Sequence, residues 1–185
     1  MKKTIFITGA TSGIGKATAE IFAKQGHRLI ICGRRKEVLD NLQIQLSNFT
    51  DVYSLVFDVR NQQEVQNAIN SLPEEWKNID VLVNNAGNAH GLEPISDANI
   101  SDWDAMMDGN VKGLLYVSQP IIKLMKANNS GHIVNISSVA ARQTYANGTV
   151  YCASKKAVDV ISEGMRLELT EFGIKVTNVQ PGAVE

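Results

Sequence analysis

At 185 residues, 44% hydrophobic and 20% charged, the chain has the size and make-up of one ordinary globular domain. A net charge of −1, with 18 scattered basic residues, argues against nucleic acid as a partner. The apolar run in the opening MKKTIFITGA is broken by Thr8 and Gly9, too short for a signal peptide or a membrane span, and the two cysteines, Cys32 and Cys152, lack metal-type spacing and suit a reducing, cytoplasmic setting with no metal centre.

In chain order, Thr4–Thr8 predicts a strand and Gly13–Gln25 a helix. Arg28–Cys32 is the second strand, with a helix over Arg35–Ser47. Val52–Phe57 is the third, with a helix from Gln62 to Leu72. Val81–Asn84 is the fourth, followed by a long helical region from Trp103 to Asn128 with a kink expected at Pro120. His132–Ile136 is the fifth, Tyr151–Phe172 a long helix, and Lys175–Val179 the sixth strand. Strands alternating with helices need crossovers, so the sheet is expected to be parallel. Runs such as IFIT, LIIC, VLVN and IVNI are apolar throughout, as strands buried on both faces require. The expected fold is therefore α/β: a doubly wound, Rossmann-type parallel sheet in three layers, α/β/α, forming one domain over residues 1–185. Asn88–Asn99 and Ala140–Thr149 read as loops at strand ends, where such sheets bind ligands.

The glycine-rich turn after the first strand is the first candidate site. Gly9, Thr11, Ser12, Gly13, Ile14 and Gly15 would let the backbone bend sharply and present a helix N-terminus to a pyrophosphate. The spacing is neither GxGxxG nor a P-loop. At the end of the second strand, where an NAD site carries an acidic residue, stand Arg34 and Arg35. Two guanidiniums suit a 2′-phosphate, so NADP is the expected cofactor; the alternative is an exposed pair opening a helix. Asp58, with Val59 beside it, is placed to reach the adenine, or to cap the next helix.

The catalytic candidates come next. Tyr151 and Lys155 stand at i and i+4, one turn apart on one helix face. A neighbouring ammonium favours the charged phenolate, which suits the pair to general acid–base work and leaves the lysine free to hold ribose hydroxyls. Ser138 ends the fifth strand and could donate to a substrate oxygen as negative charge develops there; Ser137 competes for that role. Arg142 could hold a substrate carboxylate or be an exposed loop arginine.

Taken together, these residues resemble the short-chain dehydrogenases/reductases, in register over nearly the whole chain. Thr8–Gly15 is similar to that family's TGxxxGxG loop, and Asn84-Asn85-Ala86-Gly87 to its NNAG motif. The resemblance implies that Asn85, Ala86 and Gly87 line the cofactor site. It further implies that Asn110 supports a water relay behind the lysine, that Ser138, Tyr151 and Lys155 complete the catalytic set, and that Pro181-Gly182 covers the nicotinamide. Gly33-Arg34-Arg35, Phe57-Asp58-Val59-Arg60, Leu72–Trp76, Asn78-Ile79-Asp80 and Gly91–Pro94 resemble the branch acting on 3-hydroxy acids such as serine, allo-threonine and 3-hydroxypropionate. That similarity implies NADP and a homo-oligomer, tetramer or dimer, built through the two long helices. It also implies a longer chain, with part of the substrate pocket beyond Glu185. A reductase of another carbonyl, such as a ketoacyl thioester or steroid, and a non-catalytic NADP-binding protein are the competing readings.

Overall fold

A computed structural model describes residues 2–183. Glu185, and the expectation attached to it, lies outside the described residues. Six strands form one parallel sheet in the order β3-β2-β1-β4-β5-β6: β1 Thr4–Ile7, β2 Arg28–Gly33, β3 Val52–Val56, β4 Val81–Asn84, β5 Gly131–Ile136 and β6 Ile174–Val179. The helices are α1 Gly13–Lys24, α2 Lys36–Leu46, α3 Gln62–Asn70, α4 Ile100–Met107, α5 Gly113–Ala127 and α6 Thr149–Leu169.

Period-two alternation sorts the strand side chains between two cores. Phe6, Ile30, Cys32, Leu82 and Ile133 face α3, α5 and α6, meeting Val65, Val117, Ile121, Met125, Val158 and Leu169. Ile5, Ile7, Leu29, Ile31 and Val83 face α1 and α2, meeting Ala19, Ala23, Leu39, Leu42 and Leu46. Burying each large apolar side chain contributes about 1.5–3 kcal/mol, so both layers hold the sheet. Strand order reverses between β1 and β4, because β2 and β3 build outward on one side and β5 and β6 on the other. A crevice opens at the carboxyl ends of the strands at such a switch point. The loops after β1 and β4 meet there.

The expected helix over Trp103–Asn128 is divided. Asn99 caps α4 by accepting from Ser101 N at 3.0 Å, so the helix starts at Ile100. A π turn over Asp108–Lys112 then joins it to α5, which continues through Pro120. The irregularity thus lies at Asn110, which turns inward with 2% of its surface exposed, and not at the proline. Close approach explains the glycine that follows: a Cβ on Gly113 would lie 2.8 Å from Val59 Cγ2. Helix α3 is capped by Asn61, whose side chain accepts from Gln63 N and Glu64 N. Asp58 is therefore not its cap.

A buried polar chain crosses the apolar layer beneath the crevice. Asn84 Nδ2 donates to Ser118 Oγ at 2.8 Å and to Asn135 Oδ1 at 2.9 Å, and Asn135 Nδ2 donates to Ser162 Oγ at 2.9 Å. Buried amides and hydroxyls are costly unless paired, so these bonds set the register of β4 and β5 against α5 and α6.

Candidate active site

A cleft of about 560 Å³ runs along the carboxyl ends of the strands. Its floor is the turn after β1. Gly9 has φ +63° and Gly13 φ +51°, conformations that favour glycine. A Cβ on Gly9 would lie 2.9 Å from Ala86 Cα. Thr8 Oγ1 accepts from Asn85 N at 3.0 Å and Ala86 N at 2.9 Å, while Asn85 Nδ2 donates to the carbonyls of Thr8 at 3.0 Å and Gly9 at 3.1 Å. These bonds tie the β1 and β4 loops into one unit. Ser12 precedes α1 without capping it through its side chain, and the first turn carries no acidic residue. The opening amides of α1 are thus left to an anion.

Gly9, Thr11, Ser12, Gly13 and Ile14 line the cleft, but Gly15 does not. It lies beneath the turn, where a Cβ would overlap the Gly9 carbonyl oxygen and the Asn85 amide nitrogen. Its part is packing. Gly15→Ala is accordingly expected to push the turn and the Asn85 clamp apart, weakening NADPH binding by about tenfold or more, with an overpacking cost of about 1–3 kcal/mol. Fluorescence titration and urea unfolding would measure both effects; unchanged affinity would show that the turn absorbs the methyl.

The far end of the cleft is basic. Arg35 Nη2 donates to Thr11 Oγ1 at 2.9 Å, laying its guanidinium across the glycine turn. Arg34 Nη1 lies 3.6 Å from Asp58 Oδ2, and Arg60 grips the same carboxylate with Nε and Nη2, the shortest contact being 2.6 Å. Burial alone would raise the Asp58 carboxyl, but hydrogen bonds from Arg60 and the charges of Arg60 and Arg34 hold it below the ordinary carboxylate range. Arg34, Arg35, Asp58, Val59 and Arg60 all line the cleft. Sequence reasoning did not assign Arg60 a role; its signal was a guanidinium two residues past an acidic strand end.

Ser137, Ser138, Tyr151 and Lys155 close the other end, together with Asn85, Ala86, Gly87, Asn88, Pro181 and Gly182. The geometry separates the two serines. Ser137 Oγ is engaged with Asp159 Oδ1 at 2.8 Å and the Lys155 carbonyl at 3.1 Å. Ser138 Oγ instead accepts from Ala140 N at 3.1 Å, which leaves its own proton free. Lys155 reaches inward from α6, and its Nζ donates to the Ile136 carbonyl at 3.0 Å and lies 5.8 Å from the centre of the Tyr151 ring. Burial pushes its ammonium down to about 8.

Asn110 does not line the cleft. Its Oδ1 accepts from Asn88 N at 2.8 Å, and its Nδ2 donates to Asn88 O at 2.8 Å and Ser154 Oγ at 3.0 Å. Both ends of the amide are therefore spent on bracing the loop after β4 against α6. Asn88, which the reading of the sequence passed over, lies next to the Asn85-Ala86-Gly87 motif, and its own Oδ1 is buried without a partner.

A second hollow, about 390 Å³, adjoins Tyr151 and Ser138 and is lined by Val139, Ala140, Gln143, Tyr145, Gly182 and Ala183 as well. Arg142 is exposed and is not part of its lining. Among the described residues, no group of three or more His, Cys, Asp or Glu is placed to hold a metal ion, and no helix is long and apolar enough to cross a membrane.

The residues present fit a phosphorylated dinucleotide. The cradle has open helix amides, Gly9 and Gly15 stand where a side chain would not fit, and two arginines stand where a carboxylate would repel a 2′-phosphate.

Comparison with known proteins agrees. The NADP-dependent 3-hydroxy acid dehydrogenase YdfG of Escherichia coli (strain K12) is 42% identical over 180 residues, covering 97% of this chain and 72% of that protein. Sulfoacetaldehyde reductase 2 of Chromohalobacter salexigens is 41% identical over 186 residues, 100% of this chain and 74% of the reductase. Among solved structures, serine dehydrogenase from Escherichia coli superposes with TM-score 0.92 at 41% identity, over 97% of this chain and 82% of that one. The closed form of serine dehydrogenase complexed with NADP+ superposes with TM-score 0.93 at 42% identity, over 98% and 73% of the two chains. The short chain dehydrogenase family profile matches residues 3–185, and the chain belongs to that family.

Proposed function

We propose that this chain is an NADP-dependent oxidoreductase that interconverts a small 3-hydroxy acid, of the serine, allo-threonine or 3-hydroxypropionate kind, and its carbonyl form, with residues 1–185 as its dinucleotide-binding domain. The observation that carries the reading is one cleft with paired guanidiniums at one end and a free serine hydroxyl, a phenol and a buried ammonium at the other. The names of the similar dehydrogenases support the substrate class and the cofactor.

In this reading, amides of the turn at Gly9, Thr11, Ser12, Gly13 and Ile14 hold the pyrophosphate. Arg34 and Arg35 hold the 2′-phosphate, and Asp58 and Val59 border the adenine. Asn85, Ala86, Gly87, Tyr151, Lys155, Pro181 and Gly182 enclose the nicotinamide end. The nicotinamide, when bound, gives or takes the hydride. Tyr151 takes the hydroxyl proton in oxidation and returns it in reduction at its phenol oxygen. Ser138 donates to the substrate oxygen, for which its proton is free. Lys155 keeps a positive charge behind the phenol and reaches for ribose hydroxyls. Asn110 braces the loop and helix that frame the proton path.

A panel of serine, allo-threonine, 3-hydroxypropionate, sulfoacetaldehyde and a ketoacyl thioester, followed at the NADPH absorbance band, tests the reading. Turnover is expected with the hydroxy acids, and Arg34→Ala/Arg35→Ala should weaken NADPH by about tenfold or more while leaving NADH little changed. Turnover of the thioester alone would overturn the substrate class, and binding without any turnover would make this a dinucleotide-binding protein. We also place the protein in the cytoplasm, which its two free, buried cysteines suit. Exposed Leu115 on α5 and exposed Val160 and Leu167 on α6 support a dimer or tetramer through those helices, readable as mass in solution.

A further inference from the structure

One carboxylate outside the expected catalytic set gathers donors from both lips of the cleft. Asp159 stands one turn beyond Lys155 on α6. Its Oδ1 accepts from Ser137 Oγ at 2.8 Å and from Asn178 Nδ2 at 2.6 Å, and its Oδ2 accepts from Gln180 Nε2 at 2.8 Å. Ser137 immediately precedes Ser138, and Gln180 immediately precedes Pro181 and Gly182. The main chains of these lips are already stitched: Ser137 N donates to Val179 O at 2.7 Å, and Val139 N to Pro181 O at 3.0 Å. Asp159 supplies the side-chain half of that junction and fastens it to the helix that carries Tyr151 and Lys155.

Burial would raise the Asp159 carboxyl, but hydrogen bonds from Gln180, Asn178 and Ser137, with the charge of Lys156 beside it, hold it below its ordinary range. It is thus a pure acceptor at neutral pH, and its bonds to neutral donors are charge-assisted. The helix does not need it for attachment to the sheet, because Val158, Met165 and Leu169 already pack into the core.

We propose that Asp159 is a positioning residue: it locks the strand end bearing Ser138 and the Pro181–Gly182 segment to α6, so that the oxygen-binding hydroxyl, the phenol and the cover over the nicotinamide keep one geometry. The proposal rests on the functional reading above. Displacing a site group by about 1 Å can cost 10²-fold in rate, so loss of the anchor should be visible in turnover as well as in binding.

The test measures NADPH affinity by fluorescence, kcat and KM on a hydroxy acid, and thermal stability, for the parent and four variants. Asp159→Ala is expected to weaken NADPH about tenfold and lower kcat about tenfold. Ser137→Ala should lower kcat more than affinity, and Gln180→Ala affinity more than kcat, because each cuts one branch. Asp159→Asn keeps an acceptor for Ser137 and Asn178 and can still pair with a turned Gln180 amide, so it should recover most of the loss. An Asp159→Ala protein that melts earlier yet keeps parent affinity and kcat would reduce Asp159 to a stabilising contact and overturn the proposal. Failure of Asp159→Asn to recover would also overturn it, since the bonds would then not be the cause. If the parent binds NADPH but turns over no hydroxy acid, the functional reading falls, while the affinity loss in Asp159→Ala still decides this proposal. A parent that binds no NADPH sinks both.

Discussion

Tyr151→Phe is expected to lower kcat by about 10³-fold while NADPH affinity stays within a few-fold of the parent, because only the proton-carrying oxygen is removed. Tyr151 is the residue of α6 that borders both the cofactor cleft and the adjoining hollow. The ring remains in the variant and keeps its packing, and the cradle at the other end of the cleft is untouched. Water is a poor substitute for a held proton donor, since part of the rate comes from orientation paid for in the fold. Single-turnover rates with NADPH present, alongside fluorescence titration, separate chemistry from binding. A variant that turned over within tenfold of the parent would remove Tyr151 from the proton path and leave Ser138 or solvent to supply it.

Lys155→Met should be as damaging to turnover, again about 10³-fold, and it carries a second signature in stability. Lys155 has 7% of its surface exposed and, among the described residues, no carboxylate within salt-bridge distance; its ammonium is pushed down to about 8 by burial alone. In the unfolded chain the same group titrates at about 10.4. Below pH 8 the folded protein therefore carries a buried charge at a cost of about 3 kcal/mol. Between there and the unfolded value, the unfolded chain binds more protons than the folded one, so stability rises with pH across that window. Methionine fills similar space without a charge and removes that cost. Urea unfolding of cofactor-free parent and variant from pH 7 to pH 10 should show the variant gaining most at pH 7 and the gap closing toward pH 10. Parallel curves would mean that the Lys155 charge is stabilised in the fold, for instance by its bond to the Ile136 carbonyl.

Much of this protein is legible in its amino-acid sequence. The alternation of strand and helix, the glycine turn after β1, the paired arginines after β2 and the one-turn spacing of Tyr151 and Lys155 are all local. Each depends on residues within a single element or its immediate junction, where backbone sterics and side-chain periodicity operate. The parallel direction of the strands follows from the same alternation, since every connection has to cross over, whereas their order in the sheet does not.

Other assignments needed the assembled sheet. Which of Ser137 and Ser138 keeps a free proton depends on Asp159, and the grip on Asp58 depends on the direction Arg60 takes after β3. The break at Asp108–Lys112 rather than at Pro120 reflects Asn110 reaching across to Asn88 and Ser154, and Gly15 sits beneath the turn because the Gly9 carbonyl and Asn85 enclose it. Local sequence specifies conformation through forces that act over a turn or a strand. Hydrogen-bond partners far apart in the chain are chosen only when packing has brought their elements together, so tertiary structure alone decided them.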